Sequence, residues 1–112
     1  MIDLDSKGKI ELKDKRISVI GLGLSGTEAA KLANHLGARG FASDPGTSEK
    51  VYSHAMDLMH SHHIASETGI HSDKIYDADL WIISPGVPKN SDIVKKANDK
   101  NIPIVGEIEF AS

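Results

Sequence analysis

Apolar positions along this chain follow two alternating rhythms, short continuous runs and longer stretches with one-face helical spacing. After a polar lead-in over residues 1–14, Ile17-Ser18-Val19-Ile20 reads as a strand. Ala29, Leu32, Ala33 and Leu36 then mark an amphipathic helix, and Gly37 supplies the left-handed residue that commonly ends one. A second strand, Gly40-Phe41-Ala42-Ser43, closes on Asp44, and Pro45-Gly46 turns the chain. A second helix is predicted from near Ser48, with Val51, Ala55, Leu58 and Met59 on one face, followed by a short strand from Ile64 to Glu67. Leu80-Trp81-Ile82-Ile83 is apolar throughout, the pattern of a central parallel strand buried on both faces. Ser84-Pro85-Gly86 is predicted as a loop at its carboxyl end, because Pro85 drives Ser84 extended and Gly86 permits a bend. Asn90 or Ser91 caps a further helix carrying Ile93, Val94 and Ala97, and Ile102-Pro103-Ile104-Val105 reads as the last strand.

Strands alternating with helices specify an α/β fold with right-handed crossovers. The simplest arrangement is a doubly wound, Rossmann-like, five-stranded parallel sheet in the order 3-2-1-4-5 with flanking helices. Ligands on such sheets bind beyond the carboxyl ends of the strands where the order reverses, here between the first and fourth strands. The loops after Ile20 and Ile83 are therefore expected to meet over one ligand.

The loop after Ile20 is Gly21-Leu22-Gly23-Leu24-Ser25-Gly26. A strand turning sharply into a helix needs a residue without Cβ, which Gly21 provides. Gly23 lets a diphosphate approach the main chain, and Gly26 lets the helix pack closely on the strand. The unpaired amides of the helix N-terminus then face the anion. Ser25 doubles as a candidate cap. Asp44 stands where a dinucleotide or nucleotide-diphosphate site places an acid, at the end of the second strand.

The 112 residues are enough for one domain, and no apolar run approaches the length of a membrane span. The formal charge of −3 comes from interspersed acids and bases, which excludes a basic stripe for nucleic acid. There is no cysteine, hence no disulfide or thiolate chemistry. Residues Met1–Asp5 lack the regions of a secretory signal, so a cytoplasmic location is expected, without membrane or nucleic-acid partners.

Four stretches together resemble the amino-terminal domain of the Mur ligases, in particular the D-glutamate-adding branch: residues Val19 to Gly26, Asp44, Ile83-Ser84-Pro85-Gly86-Val87, and Ile104-Val105-Gly106-Glu107-Ile108-Glu109-Phe110. Their order and separations match from Lys15 onward. The resemblance implies that residues 15–112 bind the UDP portion of UDP-N-acetylmuramoyl-L-alanine in peptidoglycan synthesis. It implies that Leu24 and Ser25 donate amides to the diphosphate, that Gly23 and Gly26 shape the loop, and that Asp44 takes the uracil or ribose edge. Ser84, Pro85 and Gly86 line the other wall. Pro45 and Gly46 stand where the family often has a hydroxyl and a basic side chain; Pro45 has no N–H, so a main-chain base contact shifts to Gly46. The resemblance also implies ATP and Mg2+ for the whole enzyme, with activation of the substrate carboxylate to an acyl phosphate and attack by the D-glutamate amine. No Gly-Lys-Ser/Thr phosphate loop occurs here. The chain is therefore expected to be a fragment without its central and carboxyl-terminal domains, binding no cofactor and catalytically inactive alone.

Rival readings are an NAD(H)-binding domain of an oxidoreductase or sensor, in which Asp44 would hold the adenosine ribose, and a ligand-free interaction module. His54, His60, His62 and His63 raise a metal site, although a histidine run at a helix end is more often solvated. Trp81 is expected in the core with its indole N–H satisfied locally. Ser84 lacks the setting of a nucleophile and reads as a loop residue.

Overall fold

The computed structural model describes residues 12–111; residues 1–11 of the polar lead-in and Ser112 lie outside the described residues. The elements are β1 (Arg16–Ile20), α1 (Leu24–His35), β2 (Arg39–Asp44), α2 (Glu49–His62), β3 (Ala65–Thr68), a 3-10 turn (Asp73–Tyr76), β4 (Leu80–Ile83), α3 (Asp92–Asp99), β5 (Ile104–Gly106) and α4 (Glu107–Ala111). All four strand pairings are parallel and the order is β3-β2-β1-β4-β5, as the alternation of patterns predicts.

Burial on both faces explains why β1 and β4 are apolar without alternation. On one face Ile17, Val19, Leu80 and Ile82 pack with Ala29, Ala30 and Ala33 of α1, Leu58 of α2 and Phe110 of α4. The three alanines let α1 lie close to the sheet. On the other face Ile20 and Trp81 pack with Ile75, Val94, Ala97 and Ile102. Trp81 is fully buried, and its Nε1–H donates to the Ile75 carbonyl at 2.7 Å.

Helix ends follow local chemistry. At the end of α1, Gly37 (φ 93°) donates to the Asn34 carbonyl and Ala38 to the Ala33 carbonyl, each at 3.0 Å, a Schellman motif. Ser48 caps α2 by accepting the Val51 N–H at 3.2 Å. His63 ends α2 in the left-handed conformation (φ 56°), and Ile64 returns its N–H to Leu58. That bond takes Ile64 out of the sheet, so β3 starts at Ala65. The last strand starts at Ile104 rather than Ile102 because the Ile102 N–H closes α3 on Ala97 and Pro103 has none to give. Two elements escape the periodicity: the 3-10 turn, the only helical element of the β3–β4 crossover among the described residues, and α4. Leu12, assigned to the lead-in, is buried in the first cluster, while Met59 of the predicted apolar face of α2 is exposed.

Candidate functional site

The loop between β1 and α1 is built from glycines held in place for different reasons. Gly21 takes φ 113°, a conformation L side chains rarely adopt, and a Cβ there would lie 2.7 Å from the Ser84 Cβ. Its N–H donates to the Ser43 carbonyl at 2.8 Å. Gly26 is packed more tightly: a Cβ would lie 2.2 Å from the Gly21 carbonyl oxygen and 2.9 Å from Glu107 Oε2. At Gly23 a Cβ would meet nothing within 4 Å. Gly23, not Ser25, is the N-cap, in extended geometry (φ −78°, ψ −175°) with no side-chain cap bond. The first helical bond is Thr27 N–H to the Gly23 carbonyl at 3.0 Å, so the Leu24, Ser25 and Gly26 amides have no partner among the described residues. Leu24 and Ser25 are exposed. A row of free amides at the positive end of a helix, beside an open Cα, is suited to an anion.

Asp44 fixes this loop from the neighbouring strand. Its Oδ2 accepts the Leu22 N–H at 2.8 Å and its Oδ1 accepts the Gly46 N–H at 2.7 Å. The Gly46 amide, expected at the base, is thus engaged by the acid. The Leu22 carbonyl accepts from His54 Nδ1 at 2.7 Å, so this histidine of α2 braces the loop. Pro45 is exposed on the turn.

The other wall comes from β4. Ser84 donates its N–H to Ile20 at 3.0 Å, accepts the Val87 N–H on its carbonyl at 3.0 Å, and accepts the Gly86 N–H on Oγ at 3.3 Å. The turn so formed exposes Pro85 and Gly86, and its Ser84 lies against Gly21. The two loops at the topological reversal meet, as the strand order requires. Beyond Ser84 and Pro85 opens a cavity of about 560 Å³, lined also by Lys89, Asn98, Gly106 and Glu107. Glu107 is buried and its Oε2 has no hydrogen-bond partner. Burial pushes its pKa above the ordinary glutamate range.

At the carboxyl end of β2, Ser43 is fully buried and its Oγ contacts Glu67 Oε2 and His71 Nδ1, each at 2.7 Å. Burial lowers the His71 pKa, against the opposing charges of Asp44 and Glu67. Sequence reasoning missed the polar contacts of Ser43, Glu67 and His71 and the burial of Glu107: Ser43 and Glu67 fall in predicted strands, but strand patterning does not show which polar side chains meet. Among the described residues no three His, Cys, Asp or Glu side chains cluster as metal ligands. No helix among the described residues is long and apolar enough to cross a membrane.

With this geometry in view, residues 16–93 match the family model for the MurD N-terminal domain. The chain belongs to the MurD N-terminal domain family. It is 41% identical over 102 residues to the UDP-N-acetylmuramoylalanine--D-glutamate ligase of Chloroherpeton thalassium, covering 91% of this chain and 22% of that protein. The ligase of the same name from Bacteroides thetaiotaomicron is 42% identical over 98 residues, covering 87% of this chain and 21% of its own length. The chain thus spans less than a quarter of these relatives. Among solved structures, UDP-N-acetylmuramate-alanine ligase MurC from Thermotoga maritima superposes with a TM-score of 0.68 at 20% identity, covering 87% of this chain and 22% of that one. Shikimate dehydrogenase from Aquifex aeolicus gives 0.58 at 17% identity, covering 90% and 45%. At these identities the structural likenesses establish the fold, which ligases and dehydrogenases share.

Proposed function

We propose that this chain is the UDP-substrate-binding domain of an ATP-dependent ligase that adds D-glutamate to UDP-N-acetylmuramoyl-L-alanine in the cytoplasm. The observation that carries the reading is the open Cα of Gly23 beneath the unpartnered Leu24, Ser25 and Gly26 amides. A diphosphate seated there gains main-chain hydrogen bonds and the field of α1 without displacing any internal bond. Ser84, Pro85 and Gly86 flank it, and the uridine runs toward Asp44 on β2. Asp44 keeps acceptor capacity beyond its two amide bonds for a ribose hydroxyl or base N–H. Among the described residues no three His, Cys, Asp or Glu side chains cluster as metal ligands, and this reading assigns ATP and Mg2+ to the rest of the enzyme. The role of this chain is accordingly to bind and orient, and chemistry belongs to the rest of the enzyme.

Calorimetric titration with UDP, UDP-N-acetylmuramoyl-L-alanine and NAD(H) tests this. Saturable binding of the uridine ligands is expected, with no phosphate release when ATP, Mg2+ and D-glutamate are added to the chain alone. Saturable NAD(H) binding without a response to uridine nucleotides would replace the reading with that of a dehydrogenase-type domain.

A further inference from the structure

The polar cluster at the ends of β2 and β3 has a fixed proton order. Glu67 accepts three hydrogen bonds, from Ser43 Oγ (2.7 Å), the Ser72 N–H (2.7 Å) and Ser72 Oγ (2.6 Å). Burial raises its pKa, but these bonds outweigh it and the net shift is downward, so Glu67 is a carboxylate and only accepts. The Ile70 carbonyl, 3.3 Å from Ser43 Oγ, also only accepts. Ser43 has one hydroxyl proton, and both acceptors compete for it. Whichever takes it, His71 Nδ1 must be the donor in its 2.7 Å contact with Ser43 Oγ. Neutral His71 is therefore the Nδ1–H tautomer, and Nε2, which makes no hydrogen bond among the described residues, carries a bare lone pair.

The position of this lone pair matters. Ser43 immediately precedes Asp44, and the loop bearing His71 is pinned across the end of β2 by the Gly69 N–H, which reaches the Asp44 carbonyl at 2.9 Å and the Gly46 carbonyl at 3.1 Å. Next to His71, Ile70 is 59% exposed, an apolar surface beside a polar acceptor. Resting on the uridine reading above, we propose that His71 is a base-selecting residue: its Nε2 accepts the N3–H of uracil and disfavours cytosine, which bears a lone pair at N3. Two opposed lone pairs leave an acceptor unpaired at the contact, and such mismatches discriminate more strongly than added or missing apolar contact.

Calorimetry of the chain with UDP, CDP and inorganic pyrophosphate tests the role. The wild type is expected to prefer UDP to CDP by about tenfold, and His71→Ala to lose about fivefold to tenfold in UDP affinity. Pyrophosphate affinity should be unchanged and the UDP-to-CDP ratio should approach one. UDP binding with an unaltered ratio in His71→Ala would overturn the proposal while leaving the uridine site standing. No wild-type response to UDP would remove both. Should the variant fail to fold, imidazole nitrogen NMR on the wild type decides. An Nε2–H tautomer, or an Nε2 shift that UDP leaves unmoved while the Leu24 and Ser25 amides respond, overturns the assignment.

Discussion

Gly23 and Gly26 lie within one turn of the same loop, yet the rim around Gly23 and the root around Gly26 are under opposite constraints. At the root, the absent Cβ is demanded by the protein: Gly21 O and Glu107 Oε2 occupy the space. At the rim nothing in the described chain approaches, and the backbone is extended, a conformation any residue takes. Glycine at the root makes the fold. Glycine at the rim is not demanded by packing, and on the proposed reading the open space above it takes the ligand. One Gly-x-Gly-x-x-Gly pattern thus contains two kinds of requirement that composition alone does not separate.

Substitution should split them. Gly26→Ala must force α1 away from β1, an overpacking cost of about 3 kcal/mol, lowering Tm by about 10 °C or more in thermal denaturation followed by circular dichroism. A Tm within a degree or two of wild type would mean that α1 slides freely and that the root is not a constraint. Gly23→Val should do the reverse. Its Tm stays near wild type, less at most a modest loss from exchanging a favourable capping residue, while affinity for UDP ligands falls at least tenfold, about 1.4 kcal/mol. Unchanged affinity would take the diphosphate away from the rim.

The same distinction explains what could be read from the chain before its structure. Strand order and helix positions were legible because burial imposes periodicity: continuous apolar runs at β1 and β4, one-face spacing on α1 and α3. The glycine loop was legible because its spacing follows from a strand-to-helix turn. Boundaries slipped where one backbone amide was spent locally, as Ile64 and Ile102 show. Asp44 was placed correctly at the end of β2, but its bonds to Leu22 and Gly46 were not foreseen, since an Asp before Pro-Gly reads equally as a turn residue. Ser43 meets Glu67 and His71 only across the α2 crossover, so no local spacing brings the three together. Glu107 sits in an acidic stretch that reads as solvated surface, and only the packing of α4 against α1 buries it.

Glu107 gives the subtlest test of the root. Among the described residues no charged side chain pairs with it: β4 and β5 carry none, Lys31 of α1 is turned to Asp57 of α2, Lys89 shares the cavity lining without an ion pair to it, and Glu109 Oε1 accepts the Gly106 N–H. Burial without a partner raises its pKa, so the folded state holds its proton above the pH at which the unfolded chain releases it. For such an acid, stability is fully present below the ordinary glutamate value and declines as pH rises through the folded-state pKa. Glu107→Gln keeps the shape and abolishes the ionisation, so as pH rises above the ordinary glutamate value its Tm should gain on the wild type by scanning calorimetry. Parallel curves would show that Glu107 ionises without penalty, through a contact supplied on folding. While Glu107 holds its proton, it places no negative charge beneath the positive end of α1, and on the proposed reading that field serves an anion at the rim.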